Sequence, residues 1–363
     1  MPEIKKFLKK EAAAVISVVA AVVSCFLVPV TNYGAYVDTE IISLLFCLMA
    51  VAAGLRRGNV FRKITGFVTK ISGNARRLAF LLVFSAFFSA MLITNDVALI
   101  TFVPFTVMIY KELNRSPVYP IVLQTIAANL GSAFTPIGNP QNLYLFTLSE
   151  MSPGEFFGIT AKPTAISLIL LMICLIHIKP DKITEVKTHK VQLKNPRFLI
   201  IYGVLFILCI LSVFGLVDNI TLFASICIAA AILEPALFSE VDYGLLVTFA
   251  AFFIFVGNIK NIPAVTSFMQ WVITDREIET AILLSQVISN VPAAVMLSGF
   301  TDDIRALILG VNIGGMGTII ASMASLISFK IYTGSKGSDS RKYMLCFTLM
   351  NVLFLAVLYI LCK

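Results

Sequence analysis

Two polar patterns interrupt long apolar stretches of this chain, and their residue types suit the binding of small ions. The first is Thr94-Asn95-Asp96, followed by Asn129 to Asn139 with Gly131, Ser132, Thr135, Pro136 and Gly138. The second is Ser289-Asn290-Val291-Pro292, followed by Asn312 to Ser322 with Gly314, Gly315, Gly317 and Thr318. Glycine permits tight backbone turns, and Pro136 and Pro140 remove N–H donors and help stop a helix. Carbonyls freed by such breaks, with Asn and Ser oxygens, suit a small cation such as sodium. A helix N-terminus offers N–H groups and a positive dipole end to an anion, so an anion site here needs no buried Lys or Arg. The expected substrate contacts are Thr94, Asn95, Asp96, Thr135, Pro136, Gly138 and Asn139 from the first pattern, and Ser289, Asn290, Val291, Gly317 and Thr318 from the second. The expected ion-coupling residues, with sodium as the candidate metal ion, are Asp96, Asn95, Asn129, Gly131, Ser132, Asn290, Asn312, Gly314 and Gly315.

Each pattern has a plainer reading. Thr, Asn and Asp are preferred helix caps, so Thr94-Asn95-Asp96 alone fits an N-cap equally well. Glycines in apolar helices also serve close packing. The coincidence of order weighs against both. The two stretches share the frame N-[LI]-G-x-x-x-T-x-I-[GA], and each follows an apolar hairpin with an Asn near its tip.

The elements that position these residues follow from composition. Hydrophobic residues make up 58% of the 363, against roughly 45–50% in soluble domains, and charged residues only 13%, about half the usual share. Mean hydropathy is +0.93. A soluble globule, a disordered chain and a disulfide scaffold are excluded; an all-α polytopic membrane protein is expected. The net charge of +8 does not signal nucleic acid, because the basic residues sit in short clusters between apolar runs. The seven cysteines fall singly, without CxxC, and only His177 and His189 add imidazole, so a zinc or iron–sulfur site is not expected.

Crossings are expected at Ala12–Val30, Thr39–Leu55, Gly158–Ile178, Phe198–Leu216, Ile220–Leu237, Tyr243–Val256 and Tyr343–Cys362. The spacing predicts surface helices over Asn59–Arg77 and Asn261–Asp275, the latter holding the only Trp, Trp271. Residues 78–110 and 279–300 read as re-entrant hairpins, and 118–148 and 303–332 as discontinuous crossing helices. The plan is about nine crossings plus two hairpins, in two inverted-topology repeats, 12–178 and 219–362. A cytoplasmic linker, 179–197, and a connecting helix, 198–216, lie between them. Of the 28 Lys and Arg, all but Lys162, Lys260, Arg276, Arg305 and Lys363 then fall on one side, which puts the N-terminus inside and the C-terminus outside. Counting either hairpin as two crossings leaves this parity unchanged. Inverted repeats with broken helices are the plan of secondary transporters.

The stretches Thr94–Pro104 (TNDVALITFVP) and Thr135–Leu143 (TPIGNPQNL) make the chain resemble the ion transporter superfamily. That group includes citrate-transporter-like proteins, arsenite permeases, divalent anion/sodium symporters and sodium/proton antiporters. In the dicarboxylate branch both hairpin tips carry Ser-Asn-Thr; here Asp96 and Val291 depart from that pattern. The resemblance implies scaffold and transport domains, elevator-like movement and a homodimer. The expected function is secondary active transport of a small anion, a carboxylate or inorganic oxyanion, across the cytoplasmic (inner) membrane, coupled to sodium or protons. Arsenite efflux or sodium/proton antiport, with Asp96 titrating, is the alternative. No enzyme is expected: HExxH, GxSxG and paired intramembrane carboxylates are absent from the sequence. No cofactor beyond the coupling ion is expected. A channel is disfavoured by the paired hairpins, and counterflow would separate it from a carrier.

Overall fold

The computed structural model describes residues 12–28, 33–182, 193 and 195–363. Among these the chain is helical throughout; the nearest thing to a strand is one antiparallel bridge, Asn74 to Lys182. The opening segment 1–11, the linker residues 183–192 and 194, and with them His189, lie outside the described residues.

The first half runs α1 (Ala12–Leu27), α2 (Thr39–Arg57), α3 (Val60–Ile71), α4 (Ala75–Ile93), α5 (Asn95–Glu112), α6 (Val118–Ser132), α7 (Pro140–Ser149) and α8 (Pro153–Ile176). Next come α9 (Pro196–Val213), α10 (Asn219–Leu233), a 3-10 turn (Pro235–Glu240), α11 (Tyr243–Ile259) and α12 (Pro263–Ile273). The chain ends with α13 (Glu277–Ile288), α14 (Asn290–Leu297), α15 (Ile304–Gly314), α16 (Met323–Thr333) and α17 (Ser340–Cys362). Much of the scarce acid is spent on helix starts. Asp38, Asp218, Asp242, Asp303 and Asp339 each cap a helix by accepting from the backbone N–H three residues on. Ser152 and Glu155 form a reciprocal capping box at α8.

The protein is a multi-pass membrane protein. Helices α2, α4, α8, α9 and α17 are each long and apolar enough to cross a bilayer. Helix α11 reaches that length only together with α12, and the two are bent by 106°. That bend suits the surface placement expected for 261–275. Helix α2 is the central span, with 61% of its apolar window buried, whereas α17 is peripheral at 22%. Outward residues such as Phe26, Ile220, Ile232 and Ile360 are exposed, as lipid-facing side chains are.

Two breaks between successive helices, at the expected hairpin tips, share one backbone geometry. Thr94, between α4 and α5, has φ 71° and ψ 148°; Ser289, between α13 and α14, has φ 75° and ψ 153°. Non-glycine residues rarely adopt this region, and the strain is of order 1–3 kcal/mol each. The two hairpins differ in length. With 12 and 8 residues, α13 and α14 rise only ~18 and ~12 Å, short of the ~30 Å apolar core. With 19 and 18 residues, α4 and α5 each approach full span length, and no charged residue interrupts α4 between Leu78 and Ile93.

Candidate functional site

Three contacts recur in the two halves at matching positions of the sequence frame. The frame glycine lets a broken helix back onto a hairpin arm. A Cβ at Gly131 would collide with the Phe87 backbone, seven residues before Thr94, and one at Gly314 would press on the Ile282 Cα, seven residues before Ser289. The frame threonine satisfies a carbonyl at the end of that arm. Thr135 Oγ1 donates to Met91 O (2.5 Å), and Thr318 Oγ1 donates to Gln286 O (3.1 Å), each three residues before the tip break. The last frame position receives the tip itself: Asn95 N–H donates to Gly138 O (3.2 Å) and Asn290 N–H to Ala321 O (2.9 Å). An unpaired backbone group within a bilayer costs several kcal/mol, so these contacts are what make broken helices tolerable there.

A buried polar seam joins the halves. Asn129 Oδ1 accepts from Asn95 Nδ2 (3.0 Å) and Ser322 Oγ (3.0 Å), while its Nδ2 donates to Ser325 Oγ (3.1 Å). Ser132 Oγ donates to Asn129 O and accepts from Asn139 Nδ2. Asn139 Nδ2 also donates to Asn312 Oδ1 (3.2 Å), and Asn312 Nδ2 donates to Asn142 Oδ1 (2.7 Å). Thr125 and Ser328 hydroxyls meet at 2.6 Å farther along α6 and α16. The Asn129 oxygen thus has two donors, and the Asn312 oxygen one, from within the protein.

Asp96 stands apart from the seam. Its N–H donates to Asn95 Oδ1 (3.0 Å), but its own Oδ1 is buried and has no hydrogen-bond partner among the described residues. It lines a cavity of about 110 Å³ together with Thr94 and Asn139, against α2 residues including Leu48 and Met49. One water needs only ~10–15 Å³, so this space holds several waters or a small solute. The same cavity is lined by Arg56, Glu240 and Asp242. Arg56 pairs with Glu240, and Arg57 bridges Glu234 (2.6 Å) and Glu240 (2.8 Å). Partial burial works to raise the Glu240 carboxyl, but hydrogen bonds from Arg57 and Arg56 outweigh it and hold it below the usual carboxylate range.

The remaining expected residues divide. Gly138 and Pro136 lie buried in the first break. Ser289 Oγ reaches Ala321 O only at 3.5 Å, and Gly315 lies under the Asn290 amide. Gly317 takes φ 105°, closed to side chains, beside Gln286. Val291, the counterpart of Asp96, is packed into the apolar core, and Thr318 is exposed and serves only the hairpin arm. Several polar partners escaped the sequence reading. Asn142 follows Asn139 by one helical turn, and Ser325 and Ser328 on α16 continue at three-residue steps from Ser322 just before it, a legible stripe. Gln286 Nε2 donates to Gly314 O (2.8 Å) and Met316 O (3.0 Å) while its Oε1 accepts from Thr318 N–H, so one amide braces the second break. Among the described residues no cluster of three His, Cys, Asp or Glu could hold a metal ion.

Comparison with known proteins agrees with this architecture. Residues 4–303 match the family model described as citrate transporter. An uncharacterised transporter of Methanocaldococcus jannaschii is 34% identical over 305 residues, 82% of each chain. The inner membrane protein YbiR of Escherichia coli is 32% identical over 307 residues, 83% of this chain and 82% of the relative. A shorter stretch of 119 residues, 32% of this chain and 24% of the relative, is 33% identical to the silicon efflux transporter LSI3 of Oryza sativa. The chain belongs to the citrate transporter family and is a membrane transporter.

Proposed function

We propose that the chain is a secondary active transporter that moves a small anion, a carboxylate or inorganic oxyanion, together with sodium or protons. The carrying observation is the Asp96 carboxylate, whose buried Oδ1 lacks a partner beside a cavity shared with the hairpin tip and the first break. An uncompensated carboxylate at the bilayer centre costs roughly 2.5–3.5 kcal/mol on insertion scales, so a proton or sodium ion bound there would be stabilised. That bound cation also removes the charge that would otherwise repel an anion from the same cavity. The matched glycine, threonine and asparagine contacts support two inverted-topology repeats, 12–178 and 219–362, with nine crossings and two re-entrant hairpins. In this reading the N-terminus is cytoplasmic, the C-terminus is outside, the membrane is the inner membrane and the carrier works as a homodimer.

A second reading is efflux of a weakly acidic hydroxide such as arsenite, or sodium/proton antiport. It is favoured by the cavity's carboxylates, Asp96, Glu240 and Asp242, which outnumber the one lining cation, Arg56. The resemblance to a silicon efflux transporter points the same way. Purified protein screened by thermal shift against citrate, succinate, phosphate, sulfate, arsenite and acetate, with and without sodium, separates the two. A sodium- or pH-dependent shift with one of the anions, followed by counterflow of that anion in proteoliposomes, supports the first reading. A response to arsenite alone, or to sodium alone, supports the second.

A further inference from the structure

A second pair of cavities lies at the foot of α2, outside the Asp96 cavity. One is a polar chamber of about 300 Å³, lined by Arg56, Arg57, Arg62, Asn59 and Asn195, with Tyr202 and Glu234 in its wall. The other is a groove of about 320 Å³, lined by Phe61, Ile100, Pro104, Phe105 and Met108. Arg56 and Arg62 line both spaces, so a basic head and an apolar trough adjoin at the same two guanidinium groups. The trough residues of α5 fall at 100, 104, 105 and 108, one helical face, and Ile100 and Met108 are 38% and 45% exposed.

Charge favours an anionic occupant. Residues 56–77 carry Arg56, Arg57, Arg62, Lys63, Lys70, Arg76 and Arg77 without a single Asp or Glu. Glu234 and Glu240 pair with Arg57, and Glu240 pairs with Arg56 through one amino group, which leaves the Arg56 guanidinium further N–H donors. The segment is basic throughout, and α3 exposes Ile64 and Phe67 as well as Arg62 and Lys63, the composition of a helix lying at a lipid headgroup layer. The Tyr202 hydroxyl is buried in the chamber wall beside Glu234 without a well-formed hydrogen bond.

We infer that the chamber and groove together bind one anionic phospholipid, its phosphate between Arg56 and Arg62 and an acyl chain along α5. A phosphate accepts paired N–H bonds from guanidinium groups, and the trough removes alkyl carbon from contact with water at the interface. The site also adjoins the transport cavity, because Arg56 and Ile100 line that cavity too. Bound lipid therefore ties α3 to α5 a few residues from the Asp96 tip. The inference rests on the chain being a membrane protein and is independent of which solute is carried.

The test is melting of the purified full chain in nonionic detergent with phosphatidylglycerol, phosphatidylcholine or inorganic phosphate added. Phosphatidylglycerol is expected to raise the midpoint, as any ligand of the folded state does, and the other two are expected to leave it in place. Arg62→Gln should remove more than half of the shift. Arg77→Gln, an equal loss of charge on the same basic segment but outside both cavities, should keep it. Met108→Trp fills the trough without touching charge and should also remove it. Equal shifts with phosphatidylcholine, or a shift with inorganic phosphate alone, would overturn the lipid assignment. So would equal effects of Arg62→Gln and Arg77→Gln, which would mean diffuse attraction. Should Arg62→Gln fail to fold, Met108→Trp decides, and a full shift in that variant overturns the proposal.

Discussion

Truncating Asn312 to alanine removes two side-chain links between the two halves of the site. Its Nδ2 donates to Asn142 Oδ1 at 2.7 Å and to Ile308 O at 2.8 Å, and its Oδ1 accepts from Asn139 Nδ2 at 3.2 Å. Asn139 retains Ser132, but among the described residues no other donor reaches the buried Asn142 Oδ1. A buried acceptor stripped of its partner costs about 1–3 kcal/mol in a soluble core. Within membranes the coupling is smaller, averaging about 0.6 and reaching about 1.7 kcal/mol, because the unfolded chain in lipid finds partners too. The short Asn312–Asn142 bond belongs near the top of that range, so Asn312→Ala should destabilise by about 1.5–2 kcal/mol, roughly 10–30-fold in the folding equilibrium. Asn142→Ala should cost a similar amount, and the double variant should cost about 1 kcal/mol less than the two together. The assay is reversible unfolding by sodium dodecyl sulfate in bicelles, followed by circular dichroism. Additivity within about 0.3 kcal/mol would show that the two amides are uncoupled, and the seam between the halves would be refuted.

Gly131→Ala and Gly314→Ala should each lower the melting midpoint, by an overpacking cost of about 1–3 kcal/mol, since one methyl group meets the Phe87 backbone and the other the Ser285 side chain and the Ile282 Cα; a neutral Gly314→Ala would break the parallel between the halves. The Glu240 carboxyl is held below its ordinary value of 4.5, so its tie to Arg56 and Arg57 is intact at neutral pH and is lost as pH falls through the folded-state value. Glu240→Gln should therefore destabilise at pH 7 and progressively less on acidification below pH 4.5, in melting curves taken across that interval; a penalty independent of pH would contradict the ion pair. Single cysteines at 182–194 should resist an impermeant thiol reagent in intact cells while those at 150–156 react, and equal labelling would sink the inverted-repeat scheme.

How much of this was readable beforehand varies from residue to residue. The frame pairs Gly138 with Ala321, and those two carbonyls receive the two tip amides, because similar backbone demands at a helix break select small residues. The strained tips at Thr94 and Ser289 fall where the hairpin sequences place Thr and Ser, although neither residue type announces a positive φ. Val291 was drawn into the site by its position alone, and burial in apolar surroundings is what a valine favours. Thr318 was included because of its match to Thr135, yet both hydroxyls cap hairpin carbonyls. Asn142 and the α16 serines were overlooked because their role depends on which helix faces them, a tertiary fact that helical spacing does not contain. The length of α4 follows from an uninterrupted apolar run, and composition alone does not distinguish a hairpin arm from a span.

Asp96→Asn keeps the shape of the side chain and removes its charge, so it isolates ion coupling from packing. Reconstituted in proteoliposomes, this variant should melt close to the parent and still exchange labelled against unlabelled solute. Net uptake driven by a pH or sodium gradient should be lost, along with its dependence on pH. An Asp96→Asn protein whose net transport rate and pH profile match those of the parent would contradict the assignment of Asp96 as the coupling residue.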